Sequence, residues 1–237
     1  MDINMGPNSE LQQSIVNVPD IVPVPDIWIH QAKEFQRVMM MYTCAIREVR
    51  TKLEVLNDEL SVKNQRNPIE MIKSRVKKPL SIVEKLRRRG LEVSLESIIK
   101  NLDDVAGVRI ICSFLDDIYE VAEMLVRQDD VNVIAVKDYI KKPKANGYRS
   151  YHMIIEVPVF FSDSKKAMRV EVQIRTIAMD FWASLDHQLK YKKAVIDDDG
   201  VISQELKECA DVIASTDEKM LRIRKRIEAQ GVKVSRD

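Results

Sequence analysis

The sequence is poor in the residues that make disulfide frameworks and histidine-rich metal centres. Of its 237 residues, three are cysteine and three are histidine. The cysteines are far apart, odd in number and without C-x-x-C spacing, which is typical of reduced thiols. The histidines lack the H-x-x-x-H and H-E-x-x-H spacings that hold zinc, so zinc catalysis is not expected.

Long apolar runs are lacking as well. No segment approaches the ~20 apolar residues that a membrane-spanning helix needs, and the polar first dozen residues are unlike a secretion signal. We therefore expect no membrane association and a cytoplasmic location. The phosphate-binding pattern G-x-x-x-x-G-K-[ST] is also missing, which argues against a P-loop kinase.

Charge is balanced overall but unevenly distributed. Lys and Arg number 38 against 37 Asp and Glu, which leaves a net charge of +1. Ten basic residues against three acidic ones lie between Lys63 and Glu92, and five against one between Lys137 and Arg149. Local basic clusters in a balanced chain favour a phosphate-rich ligand held in a cleft, although solvated helix faces have the same composition.

Proline and heptad patterns divide the chain into four segments. They are a flexible N-terminal arm, an N-terminal helical segment, a central domain and a C-terminal helical segment, at residues 1–25, 26–62, 63–193 and 200–237. Each helical segment repeats apolar residues at alternating steps of four and three. Asp26 is expected to cap the first helix and Gly231 to end the second. These helices could pack on each other, on the central domain or on another subunit, and we favour a subunit contact.

Alternating strand and helix signals in the central domain predict an α/β fold. The predicted strands are residues 70–77, 105–114, 131–140, 151–160 and 168–176. The predicted helices are residues 79–89, 94–102, 116–127 and 177–191. Asp116 is expected to cap the third of these helices. This order of elements indicates a mixed sheet of four or five strands flanked by helices.

The last predicted strand alternates polar and apolar side chains, which therefore point to opposite faces of the sheet. Its polar face carries Arg169, Glu171, Gln173 and Arg175. An exposed edge strand would explain these polar residues, and so would a platform that binds a substrate.

Asp104 stands at the start of another apolar strand and is followed by Ala-Gly-Val and Arg109. An arginine in a buried strand needs a partner, because an unpaired buried charge is costly, and a nucleotide would provide one. If Asp104 and Glu171 lie on neighbouring strands, they could share a Mg²⁺ ion. Magnesium typically takes one or two protein carboxylates together with substrate phosphates.

Two basic clusters complete the set of candidate residues. Residues 141–152 combine an Asn-Gly turn with Lys144, Tyr148 and His152, which suits stacking on a purine and contacts to phosphate or ribose. The other cluster joins a strand end to a helix and suits a triphosphate, with a solvated surface helix as the alternative. Its members are Arg75, Lys77, Lys85 and Arg88.

Taken together and in order, these motifs resemble the synthetase domain of the RelA/SpoT family. More narrowly, they resemble its small stand-alone, RelQ-like alarmone synthetases. The resemblance is strong from Arg75 to Lys192 and looser in the helical ends. The motifs are Arg75-Val-Lys, residues 82–90, Asp104-Val-Ala-Gly-Val-Arg, Asn146-Gly-Tyr-Arg-Ser-Tyr-His and Glu171-Val-Gln-Ile-Arg-Thr.

The resemblance implies a nucleotidyltransferase-like fold and transfer of pyrophosphate from ATP to the 3′-hydroxyl of GDP or GTP, which makes (p)ppGpp. By that likeness Asp104 and Glu171 hold Mg²⁺, Glu171 helps to activate the hydroxyl, and Tyr148 stacks on guanine. The implied ATP contacts are Arg75 and Arg109 at the adenine and Lys77, Lys85 and Arg88 at the phosphates. The other implied acceptor contacts are Lys144, Asn146 and His152.

The same likeness sets expectations for partners and for limits on activity. Longer family members carry a hydrolase domain with a His-Asp metal site, and this sequence has no His-Asp dipeptide. We therefore expect synthesis without hydrolysis. The class resembled here forms homotetramers through its helical ends, and its product (p)ppGpp can activate it.

Two rival interpretations remain. A different nucleotidyltransferase would share Asp104 and Glu171, but it usually pairs D-x-D/E on one strand with a Gly-Ser turn, a combination that is absent from this sequence. The other is an RNA-binding or partner-binding module built on the heptad helices and basic patches, with which the basic clusters and Tyr148 are compatible. It leaves both carboxylates unexplained, because acids repel phosphate unless a metal intervenes.

Overall fold

The computed structural model describes residues 26–64, 66–191 and 200–230. The predicted arm and Gly231 lie outside those residues. The helices are α1 (Asp26–Asn64), α2 (Pro79–Arg88), α3 (Leu95–Asn101), α4 (Leu115–Val126), α5 (Ile177–Tyr191) and α6 (Val201–Ala229). The strands are β1 (Ile69–Val76), β2 (Ala106–Cys112), β3 (Asn132–Asp138), β4 (Tyr151–Phe160) and β5 (Lys165–Thr176).

The five strands form one mixed sheet in the order β1-β2-β5-β4-β3. Strands β2 and β5 are parallel, whereas the other neighbouring pairs are antiparallel. The predicted α/β fold, with a mixed sheet flanked by helices and long helices at both ends, is confirmed. The predicted strands match the observed ones to within a few residues at their ends.

Strand β5 is the central strand of the sheet, so the edge-strand interpretation of its polar face is wrong. Val170, Val172 and Ile174 are completely buried in the hydrophobic core beneath α1 and α4. The alternate residues of β5 point to the opposite face, where a cavity separates the sheet from α5. A central strand can therefore carry charged side chains, because one of its faces is not packed.

The predicted apolar seam of α1 packs mainly on the sheet of its own chain. Tyr42, Ile46, Val49 and Leu53 are buried against the strands. Each such side chain contributes roughly 1.5–3 kcal/mol of hydrophobic free energy on burial. The middle of this helix is therefore part of the domain core, and it is not left over for a subunit contact.

Helix α6 contacts the domain through a narrow line of residues, with Ala210, Asp217 and Arg224 buried at intervals of seven. Polar contacts that hold it in place include Thr176 to Asp217, Arg224 to Asp116, and the Trp182 indole to the Leu206 carbonyl. Among the described helices, none has the length and hydropathy required to cross a membrane.

The expected cap of α4 is wrong: the helix begins at Leu115, and its N-cap is Phe114, two residues before Asp116. The backbone N–H of Phe114 donates to Asp117 Oδ2 at 3.1 Å. Asp117 is fully buried and also accepts two hydrogen bonds from Arg66. Asp116 Oδ1 accepts from the Asp117 backbone N–H at 3.1 Å, and its Oδ2 pairs with Arg224 on α6. The contact with Arg66 thus favours Asp117 as the carboxylate that binds the N-cap backbone.

Candidate active site

A cavity of about 760 Å³ opens on the polar face of the sheet, between β1, β2, β5 and α5. Its volume lies in the range of about 300–1,000 Å³ that is typical of small-molecule sites. The charged and aromatic side chains on its sheet side are Lys73, Arg75, Arg109, Tyr148, Glu171 and Arg175. Three guanidinium groups around one carboxylate suit a phosphorylated ligand.

A second cavity, of about 160 Å³, shares Glu171 with the first and is also lined by Tyr139, Lys144 and His152. The rings of Tyr139 and His152 meet edge to face, with centroids 5.2 Å apart. Lys144 Nζ lies 4.7 Å from the centre of the Tyr139 ring. Glu171 therefore stands between two recesses that both offer aromatic and basic groups, so it can reach ligands in either one.

Asp104 comes close to Glu171 because β2, which begins two residues after Asp104, pairs in parallel with β5 and places Gly107 opposite Glu171. Its Oδ2 lies 2.8 Å from Lys77 Nζ and 2.6 Å from Lys85 Nζ. Its Oδ1 is buried and has no hydrogen-bond partner among the described residues. Burial alone would raise the pKa of Asp104, but the two lysines outweigh it and hold this pKa below its usual range.

Glu171 is tied to two neighbours on the polar face. His152 Nδ1 lies 3.5 Å from Oε1, and Gln173 Nε2 donates to Oε2 at 3.0 Å. Burial and the negative charge of Asp104 would both raise the pKa of Glu171, but His152 and Gln173 outweigh them and the pKa is lowered. Asp104 lies three residues before Gly107, the strand partner of Glu171, so both carboxylates border the same part of the site.

These two carboxylates fit a divalent cation that also binds a ligand phosphate. Asp104 offers a buried oxygen that no described group satisfies, and a hard cation would satisfy it. Within the described ranges, no group of three or more His, Cys, Asp or Glu side chains is arranged to hold a metal. Ligand phosphates and water would therefore have to complete the coordination, as is usual for Mg²⁺.

Arg75 and Arg109 reach the larger cavity from β1 and β2. Arg75 crosses Gly107, where an added Cβ would lie 3.7 Å from Arg75 Cγ. Arg109 Nη1 lies 3.3 Å from Asp180 Oδ1, whereas its buried Nε has no partner among the described residues. Burial and the charge of Arg175 lower the pKa of Arg109. The protein thus satisfies only part of this guanidinium, and the rest is open to a ligand.

Tyr148 is held in place by its hydroxyl group. The hydroxyl lies 2.5 Å from Arg175 Nη2 and 2.9 Å from His152 Nε2. Lys144 Nζ and Arg175 Cζ lie 4.8 Å and 5.0 Å from the ring centre. Asn146 Oδ1 accepts from the Tyr148 backbone N–H at 3.3 Å, so its side chain stabilises the turn that carries the tyrosine.

The structure gathers the predicted site residues into adjoining groups. Arg75, Arg109, Tyr148 and Glu171 line the larger cavity, and Lys144 and His152 line the smaller one. Lys77, Lys85 and Asp104 form an ion cluster beside them. Arg88 is exposed on α2, outside the lining of both cavities.

Two participants were not among the predicted site residues. Arg175 is 4% exposed and binds both Tyr148 and Asp180. Asp180, at the first turn of α5, also contacts Arg109 and Lys73. The period-two pattern of β5 already placed Arg175 beside Glu171, and this was the available signal for it. No sequence pattern indicates that Asp180 turns back onto the sheet.

The fold and the site define a class. It is an α/β domain whose mixed sheet presents two adjoining recesses lined by cations around two carboxylates, an arrangement that suits transfer of a phosphorus group. The sequence profile of a region found in RelA / SpoT proteins matches residues 74–195. The chain belongs to the RelA/SpoT family, which confirms the resemblance drawn from its motifs.

Individual relatives match over nearly the whole chain. GTP pyrophosphokinase YwaC of Bacillus subtilis (strain 168) is 42% identical over 217 residues, which cover 91% of this chain and 99% of YwaC. The crystal structure of small alarmone synthetase 2 from Bacillus subtilis has a TM-score of 0.72 and 43% identity, and covers 81% of this chain and 99% of that one. Small alarmone synthetase 1 from Bacillus subtilis, bound to its product pppGpp, has a TM-score of 0.74 and 36% identity, with 83% and 99% covered.

Proposed function

We propose that this chain is a (p)ppGpp synthetase, which transfers the terminal pyrophosphate of ATP to the ribose 3′-hydroxyl of GDP or GTP and releases AMP. Its similarity to a named GTP pyrophosphokinase over 91% of its length supports this activity. The observation that carries the proposal is the position of Glu171, which lines both recesses and senses the charge of Asp104. A transfer between two nucleotides needs such a group between two binding sites.

The larger cavity is assigned to ATP. Arg75 and Arg109 both open into it, and guanidinium groups stack well on planar rings such as adenine. Lys77 and Lys85, which hold Asp104 in this structure, would turn to the phosphates together with Arg88. Several cations are required there, because negative charge spreads over the transferred group in the transition state.

The smaller recess is assigned to the guanine nucleotide, together with the Tyr148 ring at the border of the larger cavity. Tyr148 would stack on the base, and Lys144 and His152 would contact its phosphates or ribose. Asn146 would contribute through the turn that it stabilises. Glu171, which lines both recesses, would then lie between the ATP and the part of the acceptor in the smaller recess.

The chemistry then depends mainly on positioning. The 3′-oxygen bonds to the β-phosphorus of ATP, the bond from that phosphorus to the α-phosphate oxygen breaks, and AMP leaves. The proton of the hydroxyl passes to Glu171. Holding both nucleotides in line can supply several of the ~7–11 kcal/mol available from well-oriented reactants. A Mg²⁺ ion held by Asp104 and Glu171 would neutralise charge on the transferred phosphates.

Three further parts of the proposal follow from the family. Synthesis without hydrolysis is proposed, so Mn²⁺-dependent breakdown of ppGpp by the purified protein would contradict it. The reaction is placed in the cytoplasm, where ATP and guanine nucleotides are available. The product (p)ppGpp is proposed as an effector, so assays include it as an additive.

A homotetramer formed through the helical ends is also proposed. Its support is the outer side of α6, where Val212, Met220 and Ile223 are 67%, 51% and 40% exposed. Apolar side chains at helical spacing on one face are typical of a helix that packs on a partner. Light scattering at micromolar concentration should give about four times the mass of the 27.4 kDa chain. A monomeric mass would contradict the tetramer without affecting the proposed reaction.

The proposed reaction is tested by product analysis. Purified protein is mixed with ATP, Mg²⁺ and either GDP or GTP, and the nucleotides are resolved by ion-exchange chromatography. We expect AMP to appear in step with a guanosine tetra- or pentaphosphate, and Glu171→Gln to abolish both. Glu156→Gln, on the neighbouring strand β4, is the matched control and should remain active. Intact ATP under every condition, together with RNA binding that survives Glu171→Gln, would favour the RNA-binding interpretation.

A further inference from the structure

The polar face of the sheet contains a ring of polar side chains that is joined by four hydrogen bonds and closed by a 3.5 Å contact between His152 and Glu171. Arg175 Nη2 lies 2.5 Å from the Tyr148 hydroxyl and 3.1 Å from Gln173 Oε1. The hydroxyl lies 2.9 Å from His152 Nε2. His152 Nδ1 and Gln173 Nε2 then reach the two carboxylate oxygens of Glu171, at 3.5 Å and 3.0 Å. Two separate paths therefore connect Arg175 to Glu171.

The two ends of these paths determine the direction of the hydrogen bonds at Arg175, Gln173 and Glu171. A guanidinium group can only donate, and an ionised carboxylate can only accept. Along one path, Gln173 accepts with its oxygen and donates with its nitrogen. Along the other, the Tyr148 hydroxyl accepts from Arg175 and is hydrogen-bonded to His152 Nε2. With a neutral His152 that is protonated on Nδ1, the hydroxyl donates to Nε2, and the Nδ1–H faces Glu171 Oε1 at 3.5 Å.

Arg175 is itself held firmly. It is 4% exposed, and its remaining nitrogens donate to Asp180 Oδ1 at 3.2 Å and to Ser150 Oγ at 3.3 Å. A buried guanidinium with partners on all sides has little freedom to reorient. Both paths thus start from a fixed point beneath the two recesses, and they fix the groups above them before a nucleotide binds.

We propose that Arg175 is a positioning residue that orients Glu171 and Tyr148 together for the acceptor nucleotide. The proposal rests on the proposed function, in which Glu171 receives the proton of the 3′-hydroxyl. Each Glu171 oxygen uses one lone pair within the ring and keeps the other for ligands. The same guanidinium holds the Tyr148 ring in place. Arg175 therefore orients both the ring that stacks on the acceptor base and the carboxylate that faces the acceptor 3′-hydroxyl.

The Tyr148 hydroxyl provides the sharpest test, because Tyr148→Phe keeps the ring and removes only the link to Arg175 and His152. We expect kcat to fall about 10–100-fold, the range for losing an outer partner of a catalytic group. The KM for GTP should change by less than about threefold, because the stacking surface is kept. Tyr119→Phe is the matched control, since its hydroxyl bonds Asp138 outside the ring, and it should leave kcat unchanged.

A double-substitution cycle separates positioning from mere stability. Arg175→Lys keeps a positive charge but cannot reach both paths, so it should lower kcat at least as much as Tyr148→Phe. Both residues act through one ring, so the effects of the two substitutions should not add. The kcat of the double variant should therefore lie within about twofold of the kcat of Arg175→Lys. Arg66→Lys, which weakens the buried pair with Asp117 far along the chain, controls for lost stability and should keep its kcat.

The outcomes distinguish this proposal from the proposed function. If the wild-type protein makes no product, the proposed function fails and the ring has no reaction to serve. A different result would overturn only the positioning role of Arg175 and leave the proposed function intact. That result is an active wild type whose Tyr148→Phe variant keeps kcat within about twofold or loses only affinity for GTP. Gln173→Met interrupts the other path without removing a charge. It carries the same kcat test if Arg175→Lys does not fold, and an unchanged kcat would overturn the proposal.

Discussion

Lys85 Nζ lies 2.6 Å from Oδ2 of Asp104, the same oxygen that Lys77 contacts at 2.8 Å. The other oxygen of Asp104 is buried without a partner among the described residues. One carboxylate thus combines a side saturated by ammonium groups with a side open to a cation. Under the proposed function, Lys77 and Lys85 would bind the ATP phosphates, and Asp104 would be left to hold a Mg²⁺ ion whose charge replaces theirs.

This arrangement predicts that Asp104→Asn abolishes synthesis without unfolding the protein. The amide keeps the shape of the side chain but loses the charge that a metal needs, so kcat should fall at least ~100-fold, as when one stabilising group is removed. AMP formation measures the effect, and the thermal transition reports folding. Asp103→Asn is the matched control, because the neighbouring carboxylate pairs with Arg169 at 2.9 Å and is 40% exposed. Near wild-type turnover by Asp104→Asn would remove Asp104 from the site.

Lys144 predicts a selective effect on the acceptor nucleotide. Its ammonium group lies over the rings of Tyr139 and Tyr148, at the smaller recess. Lys144→Met should raise the KM for GTP about tenfold, the equivalent of ~1.4 kcal/mol, and leave the KM for ATP unchanged. Lys141→Met is the control, since this lysine lies 5.2 Å over the Tyr119 ring on the same connection between β3 and β4. An equal rise in both KM values would contradict the assignment of the two recesses.

The sequence predicted those features of the candidate site that depend on residues close together in the chain. The alternation along β5 places Glu171, Gln173 and Arg175 on one face whatever the rest of the fold does. The proximity of Asp104 to Glu171 required more, because it depends on the parallel pairing of β2 with β5. Strand order is set by packing of the whole domain. The sequence therefore identified the motif residues but could not give the distances between them.

The parts that escaped prediction depend on contacts between distant segments. Asp180 approaches Arg109 and Arg175 only because α5 folds back over the sheet. In the same way, Asp116 and Asp117 are equivalent as helix caps by composition, and the buried contact with Arg66 decides between them. Local propensity predicts which types of residue occur at such places, whereas tertiary contacts determine which particular residue takes the role.

Gly147 predicts how firmly α6 is joined to the turn that carries Tyr148. Its φ is +84°, and an added Cβ would lie 2.6 Å from Ala210 Cβ and 3.3 Å from Lys207 Cα. Gly147→Ala should therefore lower the free energy of unfolding by about 2–5 kcal/mol, from about 1–2 for the left-handed backbone and about 1–3 for the overlap. Urea denaturation measures this change.

Gly90→Ala separates the two contributions to that loss. Gly90 has a φ of +67°, but nothing lies within 4 Å of an added Cβ. It should show the backbone cost alone, about 1–2 kcal/mol. If the two alanine variants were equally stable, α6 would not press on the turn as the structure places it.

Asp217 predicts a pH-dependent contribution to stability at the contact between α6 and the end of β5. Burial raises the pKa of Asp217, although Thr176 donates a hydrogen bond to it. A carboxyl whose pKa is raised by folding adds stability while it is protonated, and this contribution is lost as the pH rises through the folded pKa. Asp217→Asn stays neutral and keeps an acceptor for Thr176, so its stability relative to wild type should increase between about pH 4 and pH 7. Chemical denaturation at both pH values measures the difference, with Glu218→Gln, 64% exposed on the same helix, as the control for net charge. A difference that stays constant across this range would show that Asp217 titrates alike in the folded and unfolded chain.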